Sequence, residues 1–342
     1  MLGTGQSWVI VLAGGEGRRL QSLTRDEHGV AVPKQYCALH GQPSFFQTAL
    51  ARARQLVPPE RIVIVVAESH WPWWMDEAEA LTFEHLLVQP LNRGTAVGIF
   101  LPLLHILQHD PEAHIVVLPS DHFIEDESVV RLALEEALLT TRQGRHLVLL
   151  GVTPEYPDTE YGWIVPGSTR EGNGCGVEGF REKPTLEVAT ALMARGAVWN
   201  SFMFAARGEQ LLRFYLTCLP QVARMFLRRF SAGLHSAALE PLRVLYEGLP
   251  TVDFSADLLE RMAQQLWMLP VPACGWSDLG TPERIAEVCA RYFQIPCEPT
   301  CLLLRTPPPR RQPAVAATLF PYPTSAVTRY LATRSRVAMA AR

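Results

Sequence analysis

Two positions in this chain keep lysine where nearly every other basic residue is arginine. Of 31 basic residues only Lys34 and Lys183 are lysine, leaving 29 arginines, although lysine is ordinarily among the commonest residues of soluble proteins. An ε-ammonium is a compact point charge that sits among several oxygens, whereas a guanidinium is a wider planar fork that asks for a bidentate partner. Lysine at these two sites points to places where geometry, and not charge alone, is constrained, with chance survival as the alternative. Upstream of Lys34 the run SWVIVLA leads into GGEGRRL, so Gly14, Gly15 and Gly17 form a turn with Arg18 and Arg19 directly behind it. Exposed backbone N–H groups together with cations cradle anions of the phosphate type. The turn is not a Walker A loop, because Lys and Ser/Thr do not follow the second glycine at the required spacing. Nor is it a dinucleotide fingerprint, because Leu20 stands where the last glycine would be. A plain tight turn is the alternative.

Two aspartates stand after strand-like runs: Asp121 closes HIVVLPSD and Asp278 follows LWMLPVPACGWSD. Carboxylates at strand ends facing phosphate suit Mg²⁺, which takes one or two protein oxygens and completes its octahedron with water and substrate phosphates. A lone aspartate after a strand is more often a helix cap or turn former. Asparagine occurs only at Asn92, Asn173 and Asn200. A side-chain amide offers donor and acceptor, which suits a polar ligand group at Asn92 or Asn200, with turn-forming or core-satisfying roles as the alternative for each.

The elements that must position these groups follow from periodicity. RIVIVVAE, HIVVLPSDH and HLVLLGV are β-branched runs of strand length, and between them PSFFQTALARARQLV and GTAVGIFLPLLHILQ repeat apolar residues at three and four. Strand and helix in alternation predict a largely parallel sheet covered on both faces. From about residue 151 shorter glycine-separated strands (YGWIVPG, CGVEGFREKP, VWNSFMFAA) and a helix-rich stretch over about 208–265 suggest a second, smaller lobe. LWMLPVPACGWSDLG then reads as a strand returning to the sheet, closed by the helix TPERIAEVCARYF. No internal repeat is seen.

Composition excludes several classes. With 342 residues, 48% hydrophobic and 19% charged, the chain is a folded soluble protein, and no apolar run reaches the roughly 18 residues of a membrane span. The N-terminus carries no signal-peptide pattern, so a cytoplasmic location is expected. A net charge of −3 leaves no footprint for nucleic acid. Seven cysteines without a CxxC pair argue for reduced, structural thiols. After Glu298 there is no acidic residue but seven arginines, with TPPPRRQP among them, so 297–342 reads as a loosely ordered Pro/Arg-rich tail.

The order of the motifs resembles the sugar-1-phosphate nucleotidyltransferase superfamily. Its loop GGxGTRL followed by PK stands here as GGEGRRL and VPKQY, with Arg18 in place of the usual threonine. QPLNRGTA, PSDH, EYGWI, FREKP, VWNSFMF and GWSDLGT follow in order, and the wording is most similar to the mannose-1-phosphate guanylyltransferases. The resemblance implies a Rossmann-like α/β fold of nucleotide-diphospho-sugar transferase type, with a mixed, mostly parallel sheet and a sugar-binding lobe. It implies residues 1–296 as the catalytic domain, with a nucleotide part to about 150 and a sugar-phosphate part after it. The implied chemistry is Mg²⁺-assisted nucleotidyl transfer from GTP to mannose 1-phosphate, without nucleic-acid or membrane partners and with self-association left open. Catalytic roles would fall to Arg19, Lys34 and Asp121, and metal ligation to Asp121 and Asp278. Nucleotide contacts would fall to Leu12, Gly14, Gly15, Gly17, Gln89, Asn92, Gly94 and Thr95, and sugar-phosphate contacts to Gly162, Glu182, Lys183 and Asn200. A superfamily member using glucose 1-phosphate with UTP or dTTP, or a non-catalytic nucleotide-sugar-binding regulator, are the alternatives. The stretch after Pro296 is too short for the cupin-like or β-helical module of some relatives, since a domain needs roughly 50 residues, so one activity is expected.

Overall fold

The apolar runs become the strands of one sheet. In the computed structural model, which describes residues 6–25, 29–39, 41–79, 85–144, 147–231, 239–294 and 302–303, the chain begins with β1 (Ser7–Ala13) and a short β2 (Ala38–Leu39). Then follow α1 (Phe45–Leu56), β3 (Ile62–Ala67), α2 (Trp71–Glu79), β4 (Leu86–Gln89), α3 (Gly94–His109), β5 (His114–Pro119), α4 (Glu127–Arg142) and β6 (Leu147–Val152). The second part holds β7 (Gly162–Glu171), β8 (Gly174–Glu182), α5 (Leu186–Ala194), β9 (Val198–Arg207), α6 (Gly208–Cys218), α7 (Pro220–Ser231), α8 (Leu239–Glu247), β10 (Trp267–Val271) and α9 (Pro282–Val288). Residues 297–342, expected to be a loose tail, lie outside the described residues except for β11 (Leu302–Leu303), which pairs antiparallel with β2.

Nine strands share the sheet in the order β4-β3-β1-β5-β9-β6-β10-β8-β7. Strands β4, β3, β1 and β5 run parallel, as do β6 and β10. The expectation of a mixed, mostly parallel sheet is borne out in strand direction: β9, wedged between β5 and β6, and β8 of the β7–β8 hairpin run against the other described strands of the sheet. Because side chains alternate across a strand, β3 sends Ile62, Ile64 and Val66 into one core and Val63 and Val65 into the other. Helices α1 and α4 cover the first face; α3 covers the second, beneath α6. Tyr215 of α6 stacks on Phe100 of α3 at 4.4 Å and donates its hydroxyl to Ala96 O at 2.7 Å. That bond answers the polar end of a ring which burial would otherwise leave unsatisfied.

Buried neutral histidines form part of this core. Glu60 O can only accept, so His85 Nε2 carries its ring proton, leaving Nδ1 to accept from His105 Nε2 at 3.0 Å. Burial, helped by His109 and His85, pushes His105 down to about 3. Burial likewise takes His70 down to about 4 against the pull of Glu16. Both values lie below the unfolded value near 6.5, so the unfolded chain binds protons first as pH falls. Their contribution to stability is complete above about pH 6.5 and declines toward pH 4, by up to about 1.4 kcal/mol per pH unit for each ring. Urea unfolding at pH 7.5 and 5.5 should show a lower midpoint in acid; an unchanged midpoint would mean that these rings protonate in the folded state.

Candidate active site

The glycine turn leaves the C-terminal end of β1, between β3 and β5, where open α/β sheets place ligands. Leu12 O accepts from Ser120 N at 3.2 Å and from Ser120 Oγ at 2.7 Å, tying the end of β1 to the end of β5. Gln89 is buried beneath the turn: a Cβ on Gly14 would stand 3.1 Å from its Oε1. Gly17 has φ +57 and presses on Lys34, whose Cβ would lie 3.3 Å from a Cβ there. Gln35 Nε2 donates to Ala13 O at 2.9 Å and to Gly15 O at 3.1 Å, so the turn and the segment bearing Lys34 are one unit.

From that unit Lys34, its side chain 5% exposed, reaches both aspartates. Its Nζ lies 3.1 Å from Asp121 Oδ2 and donates to the backbone carbonyl of Asp278. The segments carrying the two aspartates are bridged by paired backbone bonds between Phe123 and Ser277 at 2.9 and 3.0 Å. Burial acts to raise the Asp121 carboxyl, but Lys34 and His122 outweigh it and hold the group below the usual carboxylate range. Burial pushes His122 down to about 4 despite Asp121. Trp276 Nε1, a donor only, bonds His122 Nδ1 at 3.2 Å, so the ring proton sits on Nε2, 3.8 Å from Asp121 Oδ1.

Asp278 is held from three sides. Its Oδ1 accepts from Tyr161 Oη at 3.0 Å, Gly280 N at 2.8 Å and Arg284 Nη1 at 2.7 Å. Burial would raise this carboxyl, yet Arg284 and Lys34 keep it low. Among the described residues no donor reaches Asp278 Oδ2. Two ionised carboxylates, each with an oxygen that no donor among the described residues bonds, are hard ligands of the kind Mg²⁺ prefers. Among the described residues no cluster of three or more His, Cys, Asp or Glu could hold a metal alone. A cation bound here would complete its shell with water or ligand oxygens, and two carboxylates of this kind fit a hard divalent ion such as Mg²⁺.

The opposite wall comes from the β7–β8 hairpin. A Cβ on Gly162 would stand 2.6 Å from Glu182 Oε2 and 2.9 Å from Phe180 Cζ, so glycine gives the Glu182 carboxylate its place. Glu182 Oε1 accepts from Lys183 Nζ at 2.9 Å. Burial pushes the Glu182 carboxyl up against the pull of Lys183, and Glu182 raises Lys183 against burial. Lys183 itself is left-handed, with φ 42, and its N–H reaches Tyr161 O at 3.2 Å. Asn200, buried in β9, accepts from Phe202 N at 3.2 Å. Across the mouth Arg19 pairs with Glu160 at 2.7 Å, both exposed.

The NRGTA segment is engaged internally. Asn92 Oδ1 accepts from Gly94 N at 2.9 Å, the turn-forming use of an asparagine. Gly94 has φ +83, and a Cβ there would meet Val252 O at 2.2 Å. Thr95 Oγ1 donates to Asp253 Oδ2 at 3.1 Å and accepts from Phe254 N at 2.7 Å. Sequence reasoning passed over Asp158, Tyr161, His122, Trp276 and Arg284. Arg284, between Glu283 and Glu287 in TPERIAEV, carries no local signal that sets it apart from a solvated helix charge.

A family model described as "Nucleotidyl transferase" matches residues 8–294. The chain belongs to the nucleotidyl transferase family. It is 32% identical over 295 residues to mannose-1-phosphate guanylyltransferase of Escherichia coli (strain K12), covering 83% of this chain and 60% of that protein. It is 30% identical over 284 residues to xanthan biosynthesis protein XanB of Xanthomonas campestris pv. campestris (strain B100), covering 82% and 58%. The chain thus spans about three fifths of the length of these curated relatives. Among solved structures it resembles the crystal structure of a mannose-1-phosphate geranyltransferase from Thermus thermophilus, with a TM-score of 0.71, 30% identity, and coverage of 83% of this chain and 79% of that one. The mixed α/β sheet of this nucleotidyl transferase is therefore the nucleotide-diphospho-sugar transferase fold that the motifs implied. No helix among the described residues is long and apolar enough to cross a membrane.

Proposed function

We propose that this nucleotidyl transferase joins GTP and mannose 1-phosphate into GDP-mannose. A phosphate oxygen of mannose 1-phosphate forms a bond to the α-phosphorus of GTP while the α–β bridging bond breaks, and the electron pair leaves on pyrophosphate. The observation that carries this reading is the convergence of Lys34 with Asp121 and Asp278 beside the glycine turn. The names of the relatives support GTP and mannose 1-phosphate as the pair.

The nucleophile is already an anion near neutral pH, so catalysis reduces to alignment and to neutralising charge on five-coordinate phosphorus. Asp121 and Asp278 would hold Mg²⁺, which supplies Lewis-acid polarisation of the phosphoryl oxygens. Lys34 fixes both aspartates and presents its ammonium to the α-phosphate. Arg19 exchanges Glu160 for phosphate oxygens at small cost, since an exposed pair is worth about 0–1 kcal/mol. Leu12, Gly14, Gly15 and Gly17 offer backbone to the nucleotide, Gln89 reads the base, and Asn92, Gly94 and Thr95 shape the wall beside it. Lys183 and Glu182 take the sugar phosphate, with Gly162 and Asn200 against the hexose. On this reading residues up to about 150 serve the nucleotide and 151–296 the sugar phosphate. The five cysteines among the described residues are buried free thiols, which fits a reducing, cytoplasmic compartment.

The test is pyrophosphate release by purified protein with Mg²⁺, mannose 1-phosphate and each of GTP, ATP, UTP, CTP and dTTP, repeated with glucose 1-phosphate. Release confined to GTP with mannose 1-phosphate is expected. Preference for another pair would move the substrate assignment, and no release with any pair would overturn catalysis.

A further inference from the structure

Behind the Asp278 carboxylate lies a buried ion cluster whose Arg284 and Asp158 belong to none of the motifs and take no part in the proposed reaction. Arg284 is 7% exposed and forks between two carboxylates: Nη1 bonds Asp278 Oδ1 at 2.7 Å and Nη2 bonds Asp158 Oδ2. Its guanidinium carbon stands 4.1 Å above the Tyr161 ring, and Tyr161 Oη donates to the same Asp278 oxygen. Asp158, also 7% exposed, is in the loop that leads into Gly162: its backbone carbonyl accepts from Trp163 Nε1 at 2.8 Å, and its Oδ1 accepts from Glu160 N at 2.6 Å. The sugar loop and the metal carboxylate are thus tied through one guanidinium. Lysine could not do this, because a single ammonium lacks the planar fork that spans two acceptors in fixed geometry.

The charges are arranged to keep such a site weak until substrates arrive. Asp121, Asp158 and Asp278 face Lys34 and Arg284, three carboxylates against two cations. The protein alone therefore offers a divalent ion little net attraction, and what it offers depends on where Asp278 Oδ2 points. With three donors on Oδ1, that direction is set by Gly280 N in its own turn and by two side chains joined to the sugar loop, Tyr161, which immediately precedes Gly162, and Arg284, which is held to Asp158.

We infer that Arg284 is a positioning residue that makes seating of the sugar loop and orientation of Asp278 a single event, so that sugar 1-phosphate and the divalent ion bind with positive coupling. The inference rests on the reading of Asp278 as a metal ligand. By reciprocity, the factor by which sugar phosphate tightens metal binding equals the factor by which metal tightens sugar-phosphate binding. Asp158 is the clean place to cut the link, because removing its charge loosens Arg284 from the loop while leaving Nη1 on Asp278.

The experiment titrates Mn²⁺, followed by electron paramagnetic resonance, into full-length protein with α,β-methylene GTP, which cannot react, with and without mannose 1-phosphate. In the unaltered protein the sugar phosphate should tighten Mn²⁺ binding about tenfold, within the usual range for coupled sites. Asp158→Asn should keep the Mn²⁺ affinity measured without sugar phosphate and lose the enhancement to less than about twofold. Arg284→Lys should weaken Mn²⁺ under both conditions, and Tyr161→Phe should lower the enhancement even if the Arg284 variant does not fold. Full enhancement in Asp158→Asn and Tyr161→Phe, or none in the unaltered protein, would overturn the inference. Unchanged Mn²⁺ binding in both Asp121→Asn and Asp278→Asn would instead overturn the metal site itself.

Discussion

Asp121→Asn lowers kcat by about 10²–10³-fold with little change in thermal stability, the size seen when one preorganised charge-stabilising group is removed from an active site. The amide keeps the shape of the carboxylate, so its oxygen can still accept from Lys34 Nζ, and the backbone bridge between Phe123 and Ser277 is untouched. What disappears is the negative charge. A carboxylate held ionised by Lys34 and His122 despite its surroundings is replaced by a neutral ligand that Mg²⁺ accepts poorly. Single-turnover kinetics at saturating GTP and mannose 1-phosphate read the chemical step directly. Full activity would remove Asp121 from the metal site, whereas an equal loss in KM alone would make it a binding residue only.

Lys183→Arg is the second large effect and acts elsewhere. The KM for mannose 1-phosphate should rise by about ten-fold or more, about 1.4 kcal/mol of lost binding, while the KM for GTP stays close to its original value. The side chain is 49% exposed, so the fold has room for arginine, and the left-handed backbone is the same for either residue. The difference lies at the tip. Glu182 Oε1 holds the ammonium at 2.9 Å, beside a carboxylate fitted into the space that Gly162 leaves. A planar guanidinium bound to that carboxylate points its remaining donors along fixed directions, whereas an ammonium turns freely toward the phosphate. Unchanged kinetics would mean that lysine at this position reflects charge and nothing more.

Much of this molecule is legible in its sequence because the relevant information is local. The run IVIVVA is buried on both sides and forms a strand between two others, and the glycine turn stands at the strand end where its composition places it. Lys34, Asp121 and Asp278 could be named from motifs. Their meeting at one ammonium could not, since Asp278 arrives from a segment whose position depends on the bridge to Phe123. The place of β9 was hidden for the same reason: its two edges pair with β5 and β6 through registers that no local pattern encodes. At Asn92 and Thr95 the sequence leaves the role open, because residue types suited to a ligand are equally suited to forming a turn and holding Phe254. The Asp158–Arg284–Asp278 cluster was invisible because isolated charges in a sequence look solvated until tertiary contacts bury them.

The scarcity of lysine has a practical side. Every ε-amine of this chain stands at the proposed active site, and the two differ sharply in access: Lys34 is 5% exposed and Lys183 49%. Acylating reagents that scatter over dozens of surface amines in an ordinary enzyme have a single open side-chain address here, beside the sugar-phosphate wall. A fluorophore or crosslinker could be attached at that address without introducing a cysteine, and mannose 1-phosphate should protect it from modification.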